Sequence, residues 1–230
     1  MSSALGGSDG PLDAERRLAL SYVPAARRAA LATLWRLDAT LGGLLAGGSQ
    51  AMVTQIKLAW WREALQALDR TAPPAEPLLQ AVAHALLPAG LSGATLAEMT
   101  EGWEILLTSE AINEEDLAAY ARQRGGVLFR CSGILLGQPA GAEVERAGQA
   151  WALVDLARRS GVVEEGEQAI AAARLRIDDL FARRWPSALR PLGMLAALAR
   201  RDAERGIGGL ERQGAPARML AMARHRLTGT

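Results

Sequence analysis

Asp38 is the residue best placed for chemistry in a stretch that otherwise reads as packing. It lies in LDATLGGLLAGG, Leu37 to Gly48, among leucines and one turn ahead of the adjacent glycines Gly42 and Gly43. Wound at about 100° per residue, Leu31 to Ala46 gathers Leu31, Leu34, Trp35, Leu41, Gly42 and Leu45 on one side, with Asp38 in their midst. A carboxylate in that position is expected to be buried, and a buried carboxylate must be paired, hydrogen-bonded or protonated. The next helical stretch offers a partner. Lys57, the only lysine in the chain, falls within the apolar arc of Ile56, Trp60, Trp61, Ala64 and Leu68. The spacing predicts an Asp38–Lys57 ion pair between consecutive helices. In the alternative, Lys57 snorkels to water and Asp38 bonds Thr33 or Thr40.

Other reactive residue types are scattered. Carboxylates four residues apart, the spacing that puts two on one helix face, occur as Asp9/Asp13 and Glu110/Glu114, neither within an apolar stretch. Glu98, Glu101 and Glu104 step along one helix at intervals of three, a pattern that reads first as a solvated stripe and second as a metal site. His84 and His225 stand apart without metal-ligand spacing, Cys131 has no histidine near it in sequence, and neither a GxSxG nor a P-loop pattern occurs. Trp35, Trp60, Trp61, Trp103 and Trp151 are expected in the core, with pocket lining as the alternative. Among the paired arginines, Arg158-Arg159 is the pair that could hold an anion; Arg27-Arg28, Arg183-Arg184 and Arg200-Arg201 read as solvated faces.

Composition narrows the class. In 230 residues, 26 basic against 25 acidic side chains leave a formal charge of +1, which argues against a nucleic-acid partner. One cysteine excludes an internal disulfide framework and a multi-thiolate metal site, and fits a cytoplasmic setting. MSSALGGSDGP lacks the pattern of a secretory signal, so residues 1–12 are expected to form a flexible tail. No run of about 18 apolar residues is present to span a membrane, which leaves peripheral membrane contact open.

The elements that must position these residues are helical throughout. The chain is rich in Ala, Leu, Arg and Glu, broken by Pro or Gly, and has no alternating β-branched runs. Helices are expected to start near Asp13, Pro24, Gln50, Glu76, Ser92, Asn113, Ala142, Glu164, Ser187 and Ala215. Breaks are expected at Gly47-Gly48, Pro73-Pro74, Pro88 to Gly90, Gly137 to Gly141 and Pro186. With no repeat and no long linker, residues 13–230 read as one all-α domain.

Four stretches in order then carry a resemblance: PAARRAALATLWRLDATLGGLL, IKLAWWREAL, DLAAYARQRGGVLFRCSGILLG and GQAWALVDLARR. Together, over Leu18 to Arg159, they resemble the squalene/phytoene synthases, the head-to-head prenyl diphosphate synthases. The resemblance implies a single isoprenoid-synthase-like helical bundle around a central apolar pocket. Two Asp-rich motifs on facing helices would hold Mg²⁺ against substrate diphosphates, neutralising the leaving group as an allylic cation forms. It also implies that Gly125-Gly126 marks a helix break where substrate nears the backbone, the alternative being close helix packing or a helix end.

Here the chain departs from the family pattern. The first motif, usually near DDxxD, falls on Gly42, Gly43, Leu44, Leu45 and Ala46, with no carboxylate. The second, usually near NxxRDxxED, has Asp155 at the Asn position, keeps Arg158, and has Arg159 in place of its first Asp. The departure implies a non-catalytic member that binds an isoprenoid or lipid, or serves as an assembly factor; similar degenerate relatives include a factor needed to assemble respiratory complex I. No cofactor and no metal are then expected. The alternative is an Mg²⁺-dependent prenyltransferase condensing prenyl diphosphates on unorthodox ligands, Asp38, Glu101, Glu104 and Asp155. Gly42, Gly43, Lys57, Trp61, Gly125, Gly126 and Arg158 complete the candidate ligand-binding set.

Overall fold

A computed structural model describes residues 12–46, 50–109, 111–138, 141–177 and 179–230. The described residues form helices and no strands: α1 (Ala14–Ser21), α2 (Ala25–Ala46), α3 (Ala51–Ala67), α4 (Pro77–Ala85), α5 (Gly93–Thr108), α6 (Glu114–Tyr120), α7 (Val127–Leu135), α8 (Ala142–Arg159), α9 (Val163–Ile177), α10 (Arg190–Arg205) and α11 (Pro216–Thr228). A π-helical segment, Ala121–Gly126, joins α6 to α7 without a break, and a 3₁₀ turn, Ile207–Gly209, follows α10. No described helix is long and apolar enough to cross a membrane.

Local chemistry sets many of the starts. Asp13, Glu76, Ser92 and Asn113 each turn a side-chain oxygen onto a free N–H of the first turn of α1, α4, α5 and α6. At α6, Asn113 and Asp116 form a reciprocal capping box. Asp69, just past α3, reaches across to the backbone N–H groups of Gly93 and Ala94 and fixes the start of α5 beside the end of α3.

Packing centres on α8. Ten of its residues are buried, among them Ala147, Gly148, Ala150, Ala152 and Ala157, and this mostly small-residue surface lets α9, α10, α7 and the π segment approach on several sides. In front of it, α2 carries Leu31, Leu34, Trp35, Leu37 and Leu41 into the same core, and α3 pairs with α5. The helix starts expected at Asp13, Pro24, Gln50, Glu76, Ser92, Asn113, Ala142, Glu164 and Ala215 fall within a residue of those observed, and α10 begins three residues after Ser187.

Three expectations are corrected. Leu12, placed in the tail, is buried in the core. Gly125-Gly126 does not break the helix, because the π segment carries the chain through it. On α3 the buried residues are Thr54, Leu58, Trp61 and Leu65, while Ile56 and Trp60 face outward. Apolar side chains surround that helix almost completely, so periodicity alone could not choose its buried face. Residues 1–11, Gly47-Gly48, Glu110 and Asp178 lie outside the described residues.

Candidate functional site

Asp38 is buried, as the helix winding requires, but its partners are arginines from two distant stretches. Its Oδ1 accepts from Arg124 Nε at 2.8 Å, and its Oδ2 accepts from Arg16 Nη2 at 2.6 Å and Arg124 Nη2 at 3.1 Å. Arg16 comes from α1 and Arg124 from the π segment. No ion pair joins Lys57 to Asp38 among the described residues, so the expected pairing is corrected. Physically, the delocalised guanidinium fork suits a buried carboxylate better than a compact, strongly hydrated ammonium.

The network runs on from Asp38. Arg124 Nη2 also lies 2.8 Å from Asp155 Oδ2 on α8, and the same oxygen accepts from Arg159 Nε at 2.9 Å. Arg124 Nη1 donates to the hydroxyl of Tyr120. Aromatic rings wall the guanidinium: its central carbon lies 4.0 Å from the Trp103 ring centroid and 4.9 Å from that of Trp151. Arg16 stacks on Trp151 at 4.8 Å and donates to the Trp35 carbonyl. Such cation–π contacts strengthen as water is excluded.

Electrostatics follow from this geometry. Burial alone would raise the Asp38 carboxyl, but Arg124 and Arg16 outweigh it and hold the group well below the usual carboxylate range. Asp155 is likewise raised by burial and lowered more strongly by Arg124 and Arg159. Arg124 is kept protonated by Asp38, Tyr120 and Asp155 against its own burial. The result is three guanidinium groups interleaved with Asp38 and Asp155, with Asp13 closing the network 3.5 Å from Arg16, so that each buried carboxylate is held by arginine.

Trp103 accounts for Gly42. A Cβ at position 42 would come within 2.8 Å of the Trp103 indole, so any larger residue there would have to displace Trp103 where α2 meets α5. Gly43 is exposed with no atom near enough to touch a Cβ, and nothing in the structure explains it. Gly125 packs against α8, where a Cβ would lie 2.2 Å from the Gly148 carbonyl oxygen. That close approach, with the altered register of the π segment, carries Arg124 inward. Gly126 faces Gln149 at ordinary contact distance.

The central apolar pocket is therefore filled in the vicinity of this network. Trp103, Tyr120 and Arg124 are almost wholly buried among the described residues. The cavity touching Asp155 and Trp151 amounts to about 20 Å³, close to the room needed by one water, and is lined also by Glu15, Arg158, Asp202 and Arg218.

The remaining candidates disperse. Trp61 is a core residue of α3. Glu98 pairs with Arg130, Glu104 pairs with Arg62 at 2.7 Å, and Glu101 accepts from Gln123, so the three carboxylates engage separate partners. Arg158 turns away from Arg159 to bond Asp202 and the Glu211 carbonyl. Among the described residues, no three His, Cys, Asp or Glu side chains converge as a metal would require.

The Mg²⁺ that the family pattern implies does not fit these donors. Both carboxylates in the relevant place are bonded by guanidinium groups, whose charge would repel a divalent cation. Arg16, Arg124 and Tyr120 were missed by sequence reasoning. One signal was there to read: a buried carboxylate calls for arginine before lysine, and Arg124 directly precedes the Gly125-Gly126 pair.

The family whose sequence model matches the chain is described as squalene/phytoene synthase, and the match covers residues 12–228. Among curated proteins, none matched.

Proposed function

The chain belongs to the squalene/phytoene synthase family, and on that premise we propose that it is a non-catalytic member, acting as a binding or assembly scaffold through its surface. Arg124 carries the reading. It spans Asp38 on α2 and Asp155 on α8, the two carboxylates nearest the positions where the family pattern puts metal ligands. A fixed internal cation thus stands where that pattern calls for an exchangeable metal and a diphosphate. Trp103, packed on Gly42, occupies the space beside it.

The same features disfavour an isoprenoid held in the interior beside Asp38 and Asp155. Apolar ligand sites of drug-sized molecules have volumes of roughly 300 Å³ or more, against about 20 Å³ beside Asp155. A partner would then meet the outer surface. The test is release of inorganic diphosphate from farnesyl or geranylgeranyl diphosphate by the purified, folded protein, with Mg²⁺ and with chelator. No release above a protein-free control is expected. Metal-dependent turnover that persists through further purification would overturn the proposal and establish the prenyltransferase alternative.

A further inference from the structure

Helix α3 is apolar on two sides and covered on one. Thr54, Leu58, Trp61 and Leu65 are buried, with α5 the helix packed most closely on α3. Opposite them Met52 is 70% exposed, Ile56 64%, Trp60 44% and Val53 40%. Placed on a helical wheel, these four fall within an arc of roughly 100°. Single exposed apolar side chains are ordinary, but four large ones contiguous on one helix mark an interaction surface.

Charge distinguishes the occupant. No ionisable side chain occurs between Asp38, which is buried, and Lys57. Lys57 lies half-buried at the edge of the stripe and forms no ion pair among the described residues. The first carboxylate on α3 is Glu63, exposed on the same arc and about 5 Å farther along the axis than Trp60, where the stripe ends. A surface that is apolar in the middle, cationic at its edge and free of carboxylate along that length complements an anionic lipid interface. Acyl chains would cover Met52, Val53 and Ile56. Trp60, braced edge-on by Trp61 with centroids 5.4 Å apart, would sit at headgroup depth, and the Lys57 stem would carry its ammonium to a lipid phosphate. Glu63 stays in water if α3 enters with its N-terminal half lower.

We propose that the outer face of the N-terminal half of α3 docks this protein peripherally on an anionic bilayer. The inference is independent of whether the interior site is catalytic. Sedimentation with phosphatidylcholine vesicles containing about a third phosphatidylglycerol tests it against vesicles of phosphatidylcholine alone. The folded protein is expected to sediment with the anionic vesicles and less with the neutral ones. The double variant Met52→Glu/Ile56→Glu should weaken binding by about tenfold or more, since both side chains would have to leave the interface. Lys57→Gln should weaken it a few-fold and reduce its sensitivity to salt. Both substituted apolar positions are exposed, so thermal unfolding should be near that of the parent chain. Failure of the folded parent to bind anionic vesicles, or binding untouched by the double variant, would overturn the proposal. So would a concentration-dependent dimer, without vesicle binding, that the double variant abolishes, because the stripe would then be an interface with a second copy.

Discussion

Two buried arginines in this molecule are built alike and sit in different company. Arg124 lies between Asp38 and Asp155 in the interior; Arg218, on α11, lies between Glu15 on α1 and Asp202 on α10. Both have almost fully buried side chains, and each network recruits a further arginine, Arg159 to Asp155 and Arg158 to Asp202. Arg218 clips together helices from opposite ends of the chain, a structural task that calls for no ligand. Its existence shows that an arginine between two carboxylates is an ordinary joint in this protein, so the charges around Arg124 do not by themselves mark a functional site. Arg124 differs in its stack of Trp103, Tyr120 and Trp151.

Removing one arginine at a time tests the two joints. Arg124→Met strands Asp38 with Arg16 and Asp155 with Arg159 and empties the aromatic stack, for an expected loss of about 3–5 kcal/mol in denaturant unfolding. Arg218→Met should cost a comparable amount, about 3–5 kcal/mol, because Asp202 keeps Arg158 but buried Glu15 is left with the Gly214 N–H and no cation. Adding Asp38→Leu to Arg124→Met should recover little of the loss, since buried Arg16 then loses its Asp38 partner and keeps only Asp13 at 3.5 Å. A loss below about 1 kcal/mol for Arg124→Met would mean that Trp103 and its neighbours, and not the ion pairs, close the interior.

Acid should distinguish the interior from the C-terminal side. His225, on α11, is buried against Phe181 and Trp185, and neither ring nitrogen has a hydrogen-bond partner among the described residues. Burial, with Arg190 and Arg200 nearby, pushes it down to about 4. A group depressed in the folded state takes up its proton first in the unfolded chain, so stability falls as pH drops from about 6.5 toward 4. Asp38 and Asp155 are also depressed, but from the carboxylate range, so their contribution is intact above pH ~4 and is lost only below it. Melting temperature against pH should therefore show two descending limbs. His225→Leu should flatten the upper limb and leave the lower one.

Much of the fold is legible in the sequence because its determinants are local. Asp13, Glu76, Ser92 and Asn113 announce helix starts, since a polar side chain just before an apolar periodic run can take the free first-turn N–H groups. The burial of Asp38 is legible for the same reason, because the residues of its own helix decide it. Its partner is not. Arg124 lies 86 positions away, and it faces inward because a π segment shifts register where Gly125 meets Gly148. A glycine pair signals a break and this contact equally well, and only the opposing helix decides between them. The orientation of α3 fails differently: with apolar residues on both sides, the local pattern fits two solutions, and packing on α5 selects the one that leaves Ile56 and Trp60 outside.

The smallest effects come from Gly42 and Gly43, where neighbouring residues should respond with opposite sign. Both sit inside α2, where glycine is less favourable than alanine by roughly 1 kcal/mol. At position 43 a methyl group meets open space, so Gly43→Ala should stabilise the protein by about 0.5–1 kcal/mol. At position 42 the same group would press on the Trp103 indole, which is buried between Arg124 and the core and has little room to retreat. Overpacking of that kind costs about 1–3 kcal/mol, enough to cancel or reverse the helix-propensity gain, so Gly42→Ala should be neutral to destabilising. The pair also reports on what the glycine at position 42 is for. If Gly42→Ala destabilises and the addition of Trp103→Phe relieves it, the glycine is there to admit the tryptophan that fills the interior. If both alanine variants stabilise alike, Trp103 yields readily, and the space beside Asp38 is softer than its packing implies.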